Sequence, residues 1–292
     1  MMKLSVSSYS FMQYIRAGKM TQLDCVAKAK EMGFDAIEFV EIDGAPDYAL
    51  QVENAKRIRA QADQVGIAIN AYAVGACLYW GSAEKDAAEV ERLKRQLDIA
   101  HILGAKVMRH DSYGWMEKKG DFRSFDRMLP TVANNVRQVA DYGESLGIMT
   151  CTENHGYISQ DSDRMERLFN AVAHDNYGLL VDIGNFVCVD EDPATAVSRV
   201  APYAIHVHIK DMYVRDEPGA LSAVPPVAAV ISAVPWWARG TSPSSGVCGF
   251  SSWQATTIIC RWSTRGWRTA SPLSPEERET YNGIWNRSKK IP

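Results

Sequence analysis

The sequence predicts an α/β protein, a (β/α)8 barrel whose final helix and strand are missing. Three observations predict it. Short apolar, β-rich runs alternate with helix-like segments up to about residue 216. Seven such alternations imply parallel strands joined by right-handed crossovers. The connections are short and no G-x-G-x-x-G follows the first run, which favours a barrel over a doubly wound sheet.

The strands are expected at 3–9, 35–42, 67–74, 106–111, 148–153, 177–182 and 203–209. Between them lie amphipathic stretches. Near the start Leu23, Val26 and Ala27 are followed by Gly33. In 84–104, Val90, Leu93, Leu97 and Ala100 recur at spacings of three and four, one face of a helix. Val132, Val136, Val139 and Leu146 repeat the pattern in 129–147, and Gly147 is a natural helix stop.

Composition narrows the function classes. With 292 residues, 46 % apolar and 23 % charged, the chain can bury a sizeable core. A net charge of −3 gives no electrostatic reason to expect nucleic acid or an anionic membrane as partner. Six scattered cysteines without a C-x-x-C pair suit reduced thiols in a cytoplasm, and MMKLSVSSYSF lacks the apolar core of a signal peptide. A homo-oligomer stays open.

Three strings carry the chemistry: CTENHG at 151–156, VDIGN at 181–185 and HVHIKD at 206–211. Each sits where a strand ends, and each offers a metal ligand there: Glu153, Asp182 and His208. Two carboxylates and an imidazole at the ends of successive strands are how a divalent ion is held at a barrel mouth. Each alone has an ordinary explanation. Glu153 can cap the next turn, Asp182 before Gly-Asn can form one, and a single histidine is usually structural. His206 shares a strand face with His208 by two-residue alternation.

Together these motifs resemble the xylose-isomerase-like TIM barrels, a family of sugar isomerases, epimerases and inosose-type dehydratases. The resemblance covers about residues 3–217. It implies one divalent ion, Mn²⁺ first, with Mg²⁺, Co²⁺ or Zn²⁺ as alternatives, held by Glu, Asp, His and Glu from strands five to eight. Glu153, Asp182 and His208 match the first three. It also implies that Glu153 is both ligand and acid/base in proton transfer through a metal-stabilised enediolate, on a small sugar or sugar derivative. His110, His155, Asn185, Lys210, Arg215 and Trp80 are the expected substrate contacts. For Arg109-His110-Asp111 a buried ion pair at a strand end is the alternative. Glu38 or Glu41, ending strand two, would line the same mouth, although surface exposure is the simpler expectation. A lyase on the same scaffold (a dehydratase or a C-glycoside-cleaving subunit) is the second functional reading. A non-catalytic degenerate copy is the third. The related apurinic endonucleases use several zincs and need more than six histidines.

The fourth ligand has no counterpart, and the sequence shows why. From Pro218 to Pro275 there is no Asp or Glu, where about seven would be expected at the chain's average content. Five of the eight tryptophans fall there, and no lysine occurs between Lys210 and Lys289. Three prolines in 219–238 argue against a membrane span, and five tryptophans against a disordered linker. The remaining explanation is an out-of-frame reading. With permissible codons, a two-nucleotide offset from Gly219 can spell a helix (CLRILKLAGYD), a strand (HLSMEY) and a terminal glutamate, its codon straddling Trp262 and Ser263. The chain thus divides into a barrel portion, 1–217, and an anomalous tail, 218–292.

Overall fold

The computed structural model describes residues 4–113, 124–210, 230–231 and 247–248. Seven strands pair in chain order: β1 (Ser5–Ser7), β2 (Ala36–Val40), β3 (Ala68–Val74), β4 (Val107–His110), β5 (Met149–Glu153), β6 (Tyr177–Asp182) and β7 (Ala204–His208). Every pairing is parallel. Each strand lies inside its predicted interval. Val230–Ile231 and Val247–Cys248 form β8 and β9, a separate ladder. Among the described residues, none pairs with the free edges of β1 and β7.

The crossovers are α2 (Gln22–Glu31), α3 (Tyr48–Val65), α4 (Ala83–Leu103), α5 (Phe125–Ser145), α6 (Ser162–Val172) and α7 (Pro193–Val200); a short α1 (Met12–Arg16) precedes them. Val90, Leu93, Leu97 and Ala100 face the core as expected. On α2 the buried face is Cys25, Val26 and Ala29, so Ala27, expected inward, is exposed. α5 begins four residues earlier than its apolar pattern suggested. Pro130 sits in its second turn. Gly104 closes α4 at φ +74, a left-handed position that lets the chain turn at once into β4.

The strands alternate their side chains between two environments. Val6, Ile37, Phe39, Tyr72, Val74, Met108, Leu179 and Val181 turn outward and pack with the helices in one buried cluster. The inner face is polar: Ser5, Ser7, Glu38, Arg109, Glu153, Asp182, His206 and His208 are all buried. The sheet curls far enough for His206 and His208 on β7 to reach Glu38 on β2. Among the described residues the architecture is a parallel barrel of seven strands, without an eighth to close it.

Candidate metal centre

The site lies at the C-terminal ends of β4 to β7, where parallel strands release their loops. Register sets it. Glu153 pairs with Leu180, Leu180 with His206 and Asp182 with His208, so these side chains share the inner face. Asn154 locks the two carboxylate-bearing strands together. Its Nδ2 donates to the Asp182 carbonyl at 2.9 Å, and its Oδ1 accepts the Asp182 N–H at 2.7 Å.

Asp182 uses its two oxygens differently. Its Oδ1 accepts the N–H groups of Gly184 at 3.0 Å and Asn185 at 3.3 Å, forming the turn. Its Oδ2 lies 3.0 Å from Lys210 Nζ and 4.0 Å from His208 Nδ1. Glu153 does not cap its own turn. Its Oε1 accepts from Asn185 Nδ2 at 2.9 Å and lies 3.9 Å from His208 Nδ1, while its Oε2 is 2.5 Å from Arg109 Nε.

Ligand atoms of Glu153, Asp182 and His208 all lie within 4.8 Å of one another. One ion bound at about 2.1 Å spans donor separations of up to about 4.2 Å, so the two His208 distances fit a shared ion. A second trio, Glu38, His206 and His208, meets the same spacing.

Charge points the same way. Among the described residues the cluster holds four carboxylates, Glu38, Asp111, Glu153 and Asp182, against two permanent cations, Arg109 and Lys210. With neutral histidines the interior is short of two positive charges. Burial first, then the neighbouring Glu153 charge, push the Asp182 carboxyl above its ordinary value against the pull of Lys210. His208 is pushed up as well: burial opposes its charge, but Glu38, Glu153 and Asp182 outweigh burial. Both groups lean toward taking up protons, as groups crowded by buried carboxylates should. Glu153 goes the other way. Burial would raise it, yet Arg109 and His208 hold it well below the usual carboxylate range. The donor set, its spacing and its charge deficit fit a divalent ion.

The other expected contacts divide. Asn185 is buried between Glu153 and Lys210, donating to the first and accepting from the second. His155 Nδ1 lies 3.0 Å from Asp111 Oδ1 at the rim. Trp80 is half exposed in the β3–α4 connection. His110 is not brought to the cluster. Arg109 and Asp111 form the ion pair that was the alternative at this tripeptide, at 2.7 Å. His110, one residue on from Arg109, takes the outer face of β4, where its Nδ1 meets the Asp111 carbonyl at 2.9 Å. Arg215 and the Trp262–Ser263 position lie outside the described residues.

Glu38 is the main correction. Glu41 is exposed as expected, accepting the Gly75 N–H at 3.1 Å. Glu38 is 0 % exposed, with the Nε2 atoms of both His206 and His208 3.0 Å from its Oε2. The signal was present in the sequence. A strand of a parallel barrel is covered on both faces, so a carboxylate between Ile37 and Phe39 has to point into the barrel.

Residues 26–254 match the family model described as xylose isomerase-like TIM barrel. A curated relative, the uncharacterized protein YihM of Escherichia coli K12, is 26 % identical over 138 residues. That match covers 47 % of this chain and 40 % of YihM, so it spans less than half of the relative. Three solved structures share the fold. AsbF of Bacillus anthracis, a probable 3-DHS dehydratase involved in petrobactin synthesis, superposes with a TM-score of 0.58 at 19 % identity, covering 73 % of this chain and 74 % of its own. The 3-keto-D-glucoside 4-epimerase YcjR of E. coli, in its apo form, gives 0.53 at 19 % identity, covering 65 % and 73 %. A xylose isomerase-like TIM barrel protein of Mycobacterium smegmatis in complex with magnesium gives 0.52 at 22 %, covering 68 % and 67 %. At these identities the likeness is one of fold.

Proposed function

This chain belongs to the xylose isomerase-like TIM barrel family, and from that premise we propose that it is a metal-dependent sugar isomerase or epimerase, moving a proton next to a carbonyl through an enediolate. The observation that carries the reading is the convergence of Glu153, Asp182 and His208 on one buried point that is short of positive charge. A sugar epimerase among the structural neighbours supports the reaction class, and a neighbour with bound magnesium supports a divalent ion.

Glu153, Asp182 and His208 would hold the ion, with Mn²⁺ first and Mg²⁺, Co²⁺ or Zn²⁺ as alternatives. When bound, such an ion supplies Lewis-acid polarisation of a carbonyl and its neighbouring hydroxyl. Glu153 takes the proton. Arg109 on its Oε2 keeps it ionised at neutral pH but also makes it a weak base. Asn185 and Lys210 orient Glu153 and Asp182 and, with His155 and Trp80 at the rim, are the proposed sugar contacts; Arg215 is kept as a further one. His110 is left out of this set because it faces the helices.

Among the described residues lie only three of the four ligands expected for this family, and one base where inversion needs two. The Mn²⁺-loaded chain should therefore exchange the proton next to a ketose carbonyl with solvent faster than it inverts the centre. Incubation with ketoses, inososes and glycosides in D₂O, read by NMR, tests this. Deuterium should enter at that carbon, and Glu153→Gln should slow its entry at least about 100-fold. Loss of water from an inosose without exchange into ketoses would favour the lyase reading, which the likeness to AsbF supports. No exchange with any substrate would favour a non-catalytic copy.

A further inference from the structure

Glu38 touches none of the atoms that would hold the ion, yet it is the most deeply buried carboxylate of the cluster. His208 presents its two ring nitrogens to different partners: Nε2 is 3.0 Å from Glu38 Oε2, and Nδ1 lies 3.9 Å from Glu153 and 4.0 Å from Asp182. A carboxylate can only accept, so the nitrogen beside Glu38 carries a proton. In the neutral ring the other nitrogen is then bare and aimed between the two remaining carboxylates.

We infer that Glu38 is the positioning residue of this centre: its carboxylate fixes His208 in the Nε2–H form and so presents the Nδ1 lone pair to the ion held with Glu153 and Asp182. The inference rests on the metal reading above. It assigns a role to β2, a strand that supplies no ligand to that ion. His206 strengthens the device. Its Nε2 donates to the same Oε2 at 3.0 Å, and its ring meets that of His208 edge to face at 5.3 Å, so Glu38 is held from both sides. Carboxylate partners of metal-bound histidines raise ligand basicity and hold ring orientation, and losing one typically costs 10–100-fold in metal affinity.

Glu38, His206 and His208 also have ligand spacing of their own. A second ion there would turn a deficit of two positive charges into an excess, so one ion is favoured.

The test uses the full chain labelled with ¹⁵N-histidine, in mildly alkaline solution and without metal. Long-range ¹H–¹⁵N spectra should show His208, assigned by its loss in His208→Gln, with Nε2 protonated and Nδ1 bare. In Glu38→Gln the amide oxygen is an uncharged and weaker acceptor for Nε2–H, so the Nδ1–H form should gain population, and Mn²⁺ affinity by calorimetry should fall about 10–100-fold. A wild-type His208 protonated at Nδ1 would overturn the assignment, and that result does not depend on Glu38→Gln folding. So would unchanged Mn²⁺ affinity in Glu38→Gln, or two equivalents of Mn²⁺ bound by the wild type. If the wild type binds no Mn²⁺ while the spectra behave as expected, the function proposed above fails and the positioning of His208 by Glu38 stands.

Discussion

His110 shows how one residue's face decides its chemistry. Its Nδ1 lies against the Asp111 carbonyl and must donate, so the neutral ring is protonated there, while Nε2 has no partner among the described residues. Burial, helped by the Arg109 charge, pushes the imidazole down from 6.5 to about 4. Between those values the unfolded chain binds a proton that the folded chain refuses. Stability therefore falls as pH drops from about 6.5 toward 4, and this group adds no further loss below that. A shift of this size is worth at most about 3 kcal/mol. His110→Asn keeps a donor for the Asp111 carbonyl and removes the titration. Urea unfolding midpoints at several pH values between 4 and 7 should show a shallower acid loss for the variant than for the wild type. Equal slopes would place the acid sensitivity elsewhere. The same face argument separates what was legible from what was not. Glu153, Asp182 and His208 could be read because each ends a recognisable strand. The partners of Glu38 could not, because the contact joins β2 to β7 across the barrel and depends on the curl of the whole sheet.

At the scale of elements, apolar periodicity located all seven strands and the buried faces of α4 and α5, since burying one face of each is what drives these segments to fold. Helix ends were less legible. The apolar spacing marked α5 only from 129, four residues after its start, and the seam between that helix and its following strand left no hydrophobic signature. Gly143 makes the seam. A Cβ there would come within 2.8 Å of the Ile148 carbonyl oxygen and 2.9 Å of Thr150 Cγ2. Alanine would ordinarily improve a helix by about 0.5–1 kcal/mol. Here the nearest atom is backbone and cannot swing away, and overpacking of this kind costs about 1–3 kcal/mol. Strain should win. Gly143→Ala is expected to lower the unfolding midpoint by a few degrees, and a midpoint equal to or above the wild type would mean that α5 can slide away from β5.

For the whole molecule, an ionic interior that calls for a cation and a sheet with two free edges both bear on how residues 218–292 are read. Buried ion pairs persist only when each charge is met, because removing one partner costs about 3–5 kcal/mol. Here Asp182 and His208 both lean toward extra protons, and β1 and β7 keep free edges among the described residues. We propose, from the composition of 218–292, that this segment is read out of frame and that its original reading carried an eighth strand ending in a glutamate. Restoring that frame from Gly219 should complete the ligand set and the sheet together. The added carboxylate completes the ligand set, so Mn²⁺ affinity by calorimetry should rise at least about tenfold over the present chain, which is about 1.4 kcal/mol. The added strand pairs two edges at about 1 kcal/mol per ladder hydrogen bond, so the unfolding midpoint should climb by several degrees even without metal. The two readouts separate the causes. A gain in stability without a gain in affinity would keep the strand and discard the glutamate as a ligand. A restored chain no more stable and no tighter than the present one, or DNA across codons 215–292 that cannot encode the offset reading, would leave the tail as a genuine part of this protein.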